Sequence, residues 1–301
     1  CGNYYIFPGI LLSSISIARR TTSSLNIIIL TMTYTKYNDK YISITKKQVK
    51  ILQDYLTSIN KDSKVTLIDL TDNFKKEFDY GKNLQNDYSP YTLLRLFIDQ
   101  DFIQEKKVIY LDADTMLNDD INKLYSIDIS EYEYASSLDY MGSFFIHENY
   151  CNAGVLLINV EKIKKTQLFC KCRKYIYTHK MIMPDQTALD RLTSSKLLLP
   201  RKFNEQRSLR KDTVIKHFNK GIKFFPFIYM YNIKQWEIDK VHKMLKEVYH
   251  PHIEFLVSRK MKLQKNNIYI LKVSKAREIL DDLGLMNGLG FHTLPDKKII
   301  Q

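Results

Sequence analysis

Two carboxylates separated by one small residue, Asp112 and Asp114, follow directly on the apolar run Val108-Ile109-Tyr110-Leu111. A short β-prone run reads as a buried parallel strand, and in an open α/β sheet ligands sit just beyond the carboxyl ends of strands. Residues two apart in an extended segment point the same way, so Asp112 and Asp114 are expected to face one site. Like charges held together repel, and a hard divalent cation with oxygen ligands relieves them. A cation held by few protein groups keeps positions open to grip a diphosphate, which points to a nucleotide-sugar or nucleoside-triphosphate site. Asp-x-Asp is also common in turns and helix caps, and Asn118-Asp119-Asp120 just downstream reads as such a cap.

The elements that would position this pair alternate between strand and helix. A helix opens at Pro8, with proline in its first turn, and Asn26–Leu30 is a strand. Ile51, Leu52, Tyr55, Leu56 and Ile59 recur at helical spacing within Ile44–Ile59. Val65–Leu70 is a second strand, and Ser89-Pro90 caps a helix that runs through Leu93, Leu94, Leu96, Phe97 and Ile98 to the Asp112 strand. Beyond it lie the strands Tyr132–Leu138 and Ala153–Val160, a long basic helix Glu161–Thr178, a shorter helix opening at Pro184, and a final short strand Thr213–Phe218. This order predicts an α/β fold, a Rossmann-like and mostly parallel sheet with helices on both faces. After Trp236 the pattern shifts to Lys- and His-rich helical segments. The division expected is therefore a catalytic domain over 1–236 and a helical C-terminal extension over 237–301.

Hydrophobic content of 45% and charged content of 26% are those of an ordinary soluble domain, and the longest apolar runs are far too short to span a bilayer. No secretory signal is visible, although the chain begins at Cys1 rather than Met. Cys1, Cys151, Cys170 and Cys172 form neither a disulfide framework nor a zinc spacing, which agrees with a cytoplasmic setting. The net charge of +13 is spread along the chain rather than blocked, and no nucleic-acid motif accompanies it. An anionic glycan or phosphate substrate, or peripheral contact with the inner face of an anionic membrane, is the expected partner. Compositional bias toward Lys, Ile, Asn and Tyr accounts for the charge equally well.

Taken in order, Tyr110-Leu111-Asp112-Ala113-Asp114, Asp139, Asn152-Ala153-Gly154-Val155, Asp185-Gln186, Leu199-Pro200-(x)2-Phe203-Asn204 and His217-Phe218 resemble glycosyltransferase family 8. That family includes bacterial lipopolysaccharide galactosyl- and glucosyltransferases and glycogenin-like enzymes. The resemblance runs from about Pro8 to Trp236. It implies a GT-A fold, a UDP-sugar donor, manganese (or magnesium) and retention of anomeric configuration. Carried over by position, Asp112, Asp114 and His217 would bind the metal. Arg95, with Asp112, Ala113, Asn152, Gly221 and Lys223, would contact the sugar nucleotide. Asp185, Gln186 and Asp139 would surround the reacting sugar. Read alone, His217 is more often a satisfied structural histidine, Arg95 is as readily a snorkelling arginine at a helix edge, and Asp185 could be only an N-cap behind Pro184.

Two departures from the family pattern stand out. The family's His-x-x-Gly-x-x-Lys-Pro-Trp is replaced by His217-Phe218-Asn219-Lys220-Gly221-Ile222-Lys223, with Trp236 much farther on. The first strand and its acidic base-binding loop are reduced to Cys1-Gly2-Asn3-Tyr4-Tyr5. The expected activity is transfer of a hexose, galactose or glucose, from a UDP-sugar to a saccharide acceptor such as a lipopolysaccharide or cell-surface glycan. A metal-dependent nucleotidyl or phosphoryl transferase and a non-catalytic protein on a transferase fold are the alternatives. Neither a Gly-rich nucleotide signature nor a Walker lysine is present to favour the first.

Overall fold

The structure, a computed structural model, describes residues 1–85, 88–207, 209–223, 229–237 and 240–241. The expected C-terminal extension lies almost wholly outside the described residues. Residues 1–235 form one compact unit. Its helices are α1 (Phe7–Ala18), α2 (Lys46–Ile59), α3 (Thr71–Phe78), α4 (Asn122–Tyr125), α5 (Gly142–Phe145), α6 (Val160–Thr166), α7 (Leu168–Thr178) and α8 (Pro184–Leu192). Its strands are β1 (Asn26–Thr31), β2 (Lys64–Asp69), β3 (Lys107–Leu111), β4 (Thr115–Leu117), β5 (Tyr134–Ser137), β6 (Val155–Asn159), β7 (Lys196–Leu199), β8 (Ile215–His217), β9 (Gly221–Lys223) and β10 (Tyr229–Tyr231).

The central sheet has the order β3-β6-β5-β7. The apolar run of β6 explains its central place. Val155 and Leu157 enter one core, with Ala135, Ile215 and Phe203, while Leu156 and Ile158 enter the other, with Phe97, Phe169 and Leu189. A strand covered on both faces needs apolar residues at every position rather than at alternate ones. The α/β class with helices on both faces therefore holds. Strand direction is mixed, with β5–β7 and β1–β2 parallel and β6 antiparallel to both of its neighbours. The cause is the β5–β6 connection, which folds back without a crossover and is closed by the antiparallel Leu138–Cys151 bridge.

The strands β1 and β2 form a separate pair. The first two residues bridge this pair to the central sheet. Gly2 N–H donates to Leu30 O at 3.1 Å, and Cys1 Sγ lies 3.1 Å from the Tyr110 hydroxyl. Helix α1 carries no charge and is buried along most of its length. Two of its hydroxyls meet the short strand β4: Leu117 N–H donates to Ser16 Oγ, and Ser13 Oγ shares a hydrogen bond with Thr115 Oγ1. Ile121 is the N-cap of α4 and makes no side-chain cap; from the Asn118-Asp119-Asp120 run just ahead of it, Asp120 Oδ1 accepts from Asn122 N–H.

Three local expectations change. The helix opened by Ser89 is a 3-10 helix over Pro90–Phe97, closed by three-residue bonds such as Thr92 N–H to Ser89 O. The strand around His217 is not the last, since the antiparallel hairpin β9–β10 follows it. The long basic helix is two helices, α6 and α7, broken at Gln167. Gln167 has φ 58° and ψ 28°, the left-handed conformation that a residue with a Cβ adopts only at a cost. Gln167→Gly is therefore expected to stabilise the protein by about 1 kcal/mol, read as a raised urea midpoint with unchanged slope. A lowered midpoint would show that the Gln167 side chain contributes more than its backbone costs.

Candidate active site

The site forms where β3 and β8 end and β6 and α8 begin. Asp112 follows β3, and its backbone N–H donates to Gly154 O at 2.8 Å, extending the β3–β6 pairing by one step. The chain then turns, with Thr115 N–H donating to Asp112 O, and runs back as β4. Strand β4 pairs antiparallel with β8, which sets Thr115 opposite His217. Asp112 and Asp114 thus converge through a turn rather than through the alternation of an extended strand. The pairing brings His217 Nε2 to 3.2 Å from Asp114 Oδ1 and 3.9 Å from Asp112 Oδ2. Ligand atoms of all three residues lie within 4.8 Å of one another.

Arg95 is not a snorkelling surface residue. It is 2% exposed, and its guanidinium donates to Asp112 Oδ1 at 2.8 Å and to the Ala153 carbonyl, with Nε 3.1 Å from Asp185 Oδ2. Burial works against its charge, but Asp112 and the other carboxylates outweigh burial and hold it more firmly protonated than usual. Burial pushes the Tyr110 hydroxyl well up, so it remains a donor to Asp112 Oδ1 at 2.6 Å. Burial also raises the Asp185 carboxyl above the usual carboxylate range despite Arg95. Asp114 shifts the other way. Burial opposes its ionisation, yet His217 and Lys234 hold it below the usual range.

Asn152, Asp139, Asp185 and Gln186 form the other half. Asp185 and Gln186 stand in the first turn of α8, behind Pro184. Asp139 accepts four N–H groups. Met141 N and Gly142 N bind Oδ1 at 3.1 and 2.6 Å, while Asn152 Nδ2 and Gln186 Nε2 bind Oδ2 at 2.8 and 3.1 Å. Gln186 Oε1 accepts from Ala153 N–H at 3.0 Å, so both ends of its amide are held.

The glycine after His217 is placed differently from the expectation, while the side chain of Lys223 lies outside the described residues. Gly221 lies in β9 opposite Tyr231, and a Cβ there would come within 2.3 Å of the Tyr231 ring. Its small size serves the hairpin. The lysine brought to the acidic pair is Lys234, whose Nζ lies 2.5 Å from Asp114 Oδ2 and 3.0 Å from Phe218 O. Next to it, Gln235 Nε2 donates to the Ala113 carbonyl at 2.6 Å. Both escaped the sequence reading, because the hairpin separates them from His217. The signal that could have found them is Lys234-Gln235-Trp236, which keeps the outer residues of the family's Lys-Pro-Trp. Gly154 was seen only as part of a motif. A Cβ there would stand 2.2 Å from His217 Cε1 and 2.9 Å from Asp112 Oδ2.

Comparison with known proteins agrees with this fold. The profile of Glycosyl transferase family 8 matches residues 2–239. A putative glycosyltransferase of Haemophilus influenzae is 27% identical over 210 residues, covering 65% of this chain and 58% of that protein. The galactosyltransferase LgtC, solved in complex with donor and acceptor sugar analogs, shares the fold with a TM-score of 0.55 at 16% identity, over 72% of this chain and 84% of LgtC. An active-site mutant of LgtC with glutamine changed to glutamate gives 0.56 at 16% identity, over 79% and 88% of the two chains. GlyE of Streptococcus pneumoniae TIGR4 gives 0.53 at 22% identity, over 76% of this chain and 56% of GlyE. A second family appears at the C-terminus, where residues 239–286 match the WhiA N-terminal LAGLIDADG-like domain. A probable cell division protein WhiA of Staphylococcus saprophyticus is 45% identical over 62 residues, one fifth of each chain. The chain thus spans well under two thirds of the curated relatives named. The family match covers most of this chain and the whole of the site, and over residues 2–239 the chain belongs to glycosyltransferase family 8.

Proposed function

We propose that this protein is a retaining, metal-dependent transferase that moves a hexose, galactose or glucose, from a UDP-sugar to a saccharide acceptor. The observation that carries the reading is the convergence of Asp112, Asp114 and His217 on one point, with Arg95 behind them and Asp185 and Gln186 alongside. The residues fit a divalent cation. Two carboxylates and an imidazole are a donor set suited to manganese more than to calcium. The missing Cβ at Gly154 leaves His217 room to stand against Asp112. Asp112, Asp114 and His217 would hold the ion, and a bound cation supplies Lewis-acid neutralisation of the charge that grows on a departing diphosphate. Lys234 adds a second positive charge at the same carboxylate and takes the role expected of Lys223.

The polar half of the site supports retention. An inverting enzyme needs a base that takes the acceptor proton. Asp139 is a carboxylate close to Gln186, but its two oxygens already accept four N–H groups, so it serves better to position Asn152 and Gln186 than to take a proton. Gln186 and Asp185 stand where they can stabilise the far side of an oxocarbenium-like sugar. The glutamine altered in the LgtC active-site mutant supports that assignment for Gln186. The net charge of +13 supports an anionic acceptor or peripheral membrane contact on the cytoplasmic side. Among the described residues no helix is long and apolar enough to cross a membrane.

A screen of UDP-sugars by UDP release, with chelator and with added manganese, tests the reading directly. Activity should stop in chelator, and Asp112→Asn and Asp114→Asn should each lose at least about two orders of magnitude in rate. Full activity in chelator would remove the metal from the account. Gly154→Ala should weaken Mn2+ binding by about 10- to 100-fold in a titration, since its methyl group displaces His217. Unchanged affinity would mean that His217 is not a ligand. With an α-linked UDP-hexose, NMR of fresh product should show an α-linkage, and a β-linked product would overturn retention.

A further inference from the structure

The buried amides at the back of the site form one unbroken chain, and its ends determine the orientation of every member. Asn152 Oδ1 accepts from Gly154 N–H at 2.9 Å, and Asn152 Nδ2 donates to the Asp139 carboxylate at 2.8 Å. A backbone N–H can only donate and a carboxylate can only accept, so the Asn152 amide has a single orientation. Asn204 lies 2.9 Å from the same Asn152 Oδ1 and must present its Nδ2 there. That leaves Asn204 Oδ1 facing His217 Nδ1 at 3.0 Å. An amide oxygen has no proton to give, so Nδ1 carries the proton. His217 Nε2 then points to Asp112 and Asp114. Asn204 is 1% exposed and His217 3%, so water does not compete for either contact.

We infer that Asn204 is a positioning residue that locks His217 with its proton on Nδ1, presents Nε2 to the metal position, and ties that position to the sugar side through Asn152. The inference rests on the reading of His217 as a metal ligand. A ligand histidine whose second nitrogen is held by a fixed acceptor loses neither ring orientation nor tautomer between catalytic cycles. The same side chain reaches, through Asn152 and Asp139, to Gln186. A change in ring position at the metal is therefore felt at the reacting sugar through hydrogen bonds alone.

Two substitutions separate the two contacts. Asn204→Asp keeps an oxygen for His217 and loses the donor to Asn152, whereas Asn204→Leu loses both. In 15N-labelled wild-type protein, NMR should show a slowly exchanging proton on His217 Nδ1, retained in Asn204→Asp and absent in Asn204→Leu. Asn204→Leu should bind Mn2+ about 10- to 100-fold more weakly by titration. Asn204→Asp should bind it within about threefold of wild type, yet turn over donor with reduced kcat, a split that a merely structural role would not produce. A wild-type His217 protonated on Nε2 alone would overturn the inference, as would a folded Asn204→Leu protein with unaltered Mn2+ affinity. Should Asn204→Leu fail to fold, the wild-type spectrum and Asn204→Asp decide. Wild-type protein that binds no Mn2+ would refute the metal reading, while the proton on Nδ1 would still judge the lock.

Discussion

Arg95 carries a permanent positive charge into a place that is 2% exposed, and the segments that build the site are arranged around it. From the 3-10 helix it reaches Asp112 beyond β3, the Ala153 carbonyl ahead of β6, and Asp185 at the head of α8. Each segment brings a group that would be costly to bury alone, and a single planar guanidinium answers all three. Removing one partner of such a buried pair commonly costs about 3–5 kcal/mol, because the charge left behind is uncompensated. The arginine therefore organises this half of the site before any ligand arrives. It also allows two carboxyl groups, Asp112 and Asp185, to stand on either side of one guanidinium.

The acidic pair is completed from a different direction. Strand β4 is only three residues long, yet it joins β8 on one side and the Ser16 hydroxyl of α1 on the other. That double attachment converts a tight turn after β3 into a fixed angle between Asp114 and His217. The buried α1 thus supports the site although it contributes no residue to the cluster of Asp112, Asp114 and His217. An uncharged helix with inward hydroxyls suits this use, since Ser13 and Ser16 each find a partner in the short strand.

Much of this could be read from residue order. The apolar run before Asp112, the Asn152-Ala153-Gly154 segment, Pro184 ahead of Asp185-Gln186, and His217 behind Val214-Ile215 are local signals, and the structure gathers all of them at the site. What stayed hidden depended on pairing between distant segments. Gln167 breaks a helix through its own φ, which no pattern of apolar residues reports. Asn204 was visible in a motif, but its contacts with Asn152 and His217 span 52 and 13 residues and exist only once β8 is in register. Gly221 was read for a ligand because glycine beside a lysine suggests a phosphate, while its neighbour is a tyrosine across a hairpin. The C-terminal similarity to WhiA showed in the sequence only as a shift of composition after Trp236.

The hairpin β9–β10 has a consequence for how such sites diversify. Gly221 pairs with Tyr231, so the chain leaves and returns at nearly the same place, about 5 Å apart for paired strands. His217 lies before this excursion and Lys234 after it, each held independently, the former by β4 and the latter at Asp114. Lengthening a loop whose ends are already fixed costs little, about 0.6 kcal/mol for each doubling. Residues can therefore be gained or lost between the imidazole and the ammonium without altering the distance between them. The separation of these two groups in sequence is evolutionary slack, and their separation in space is the quantity under constraint.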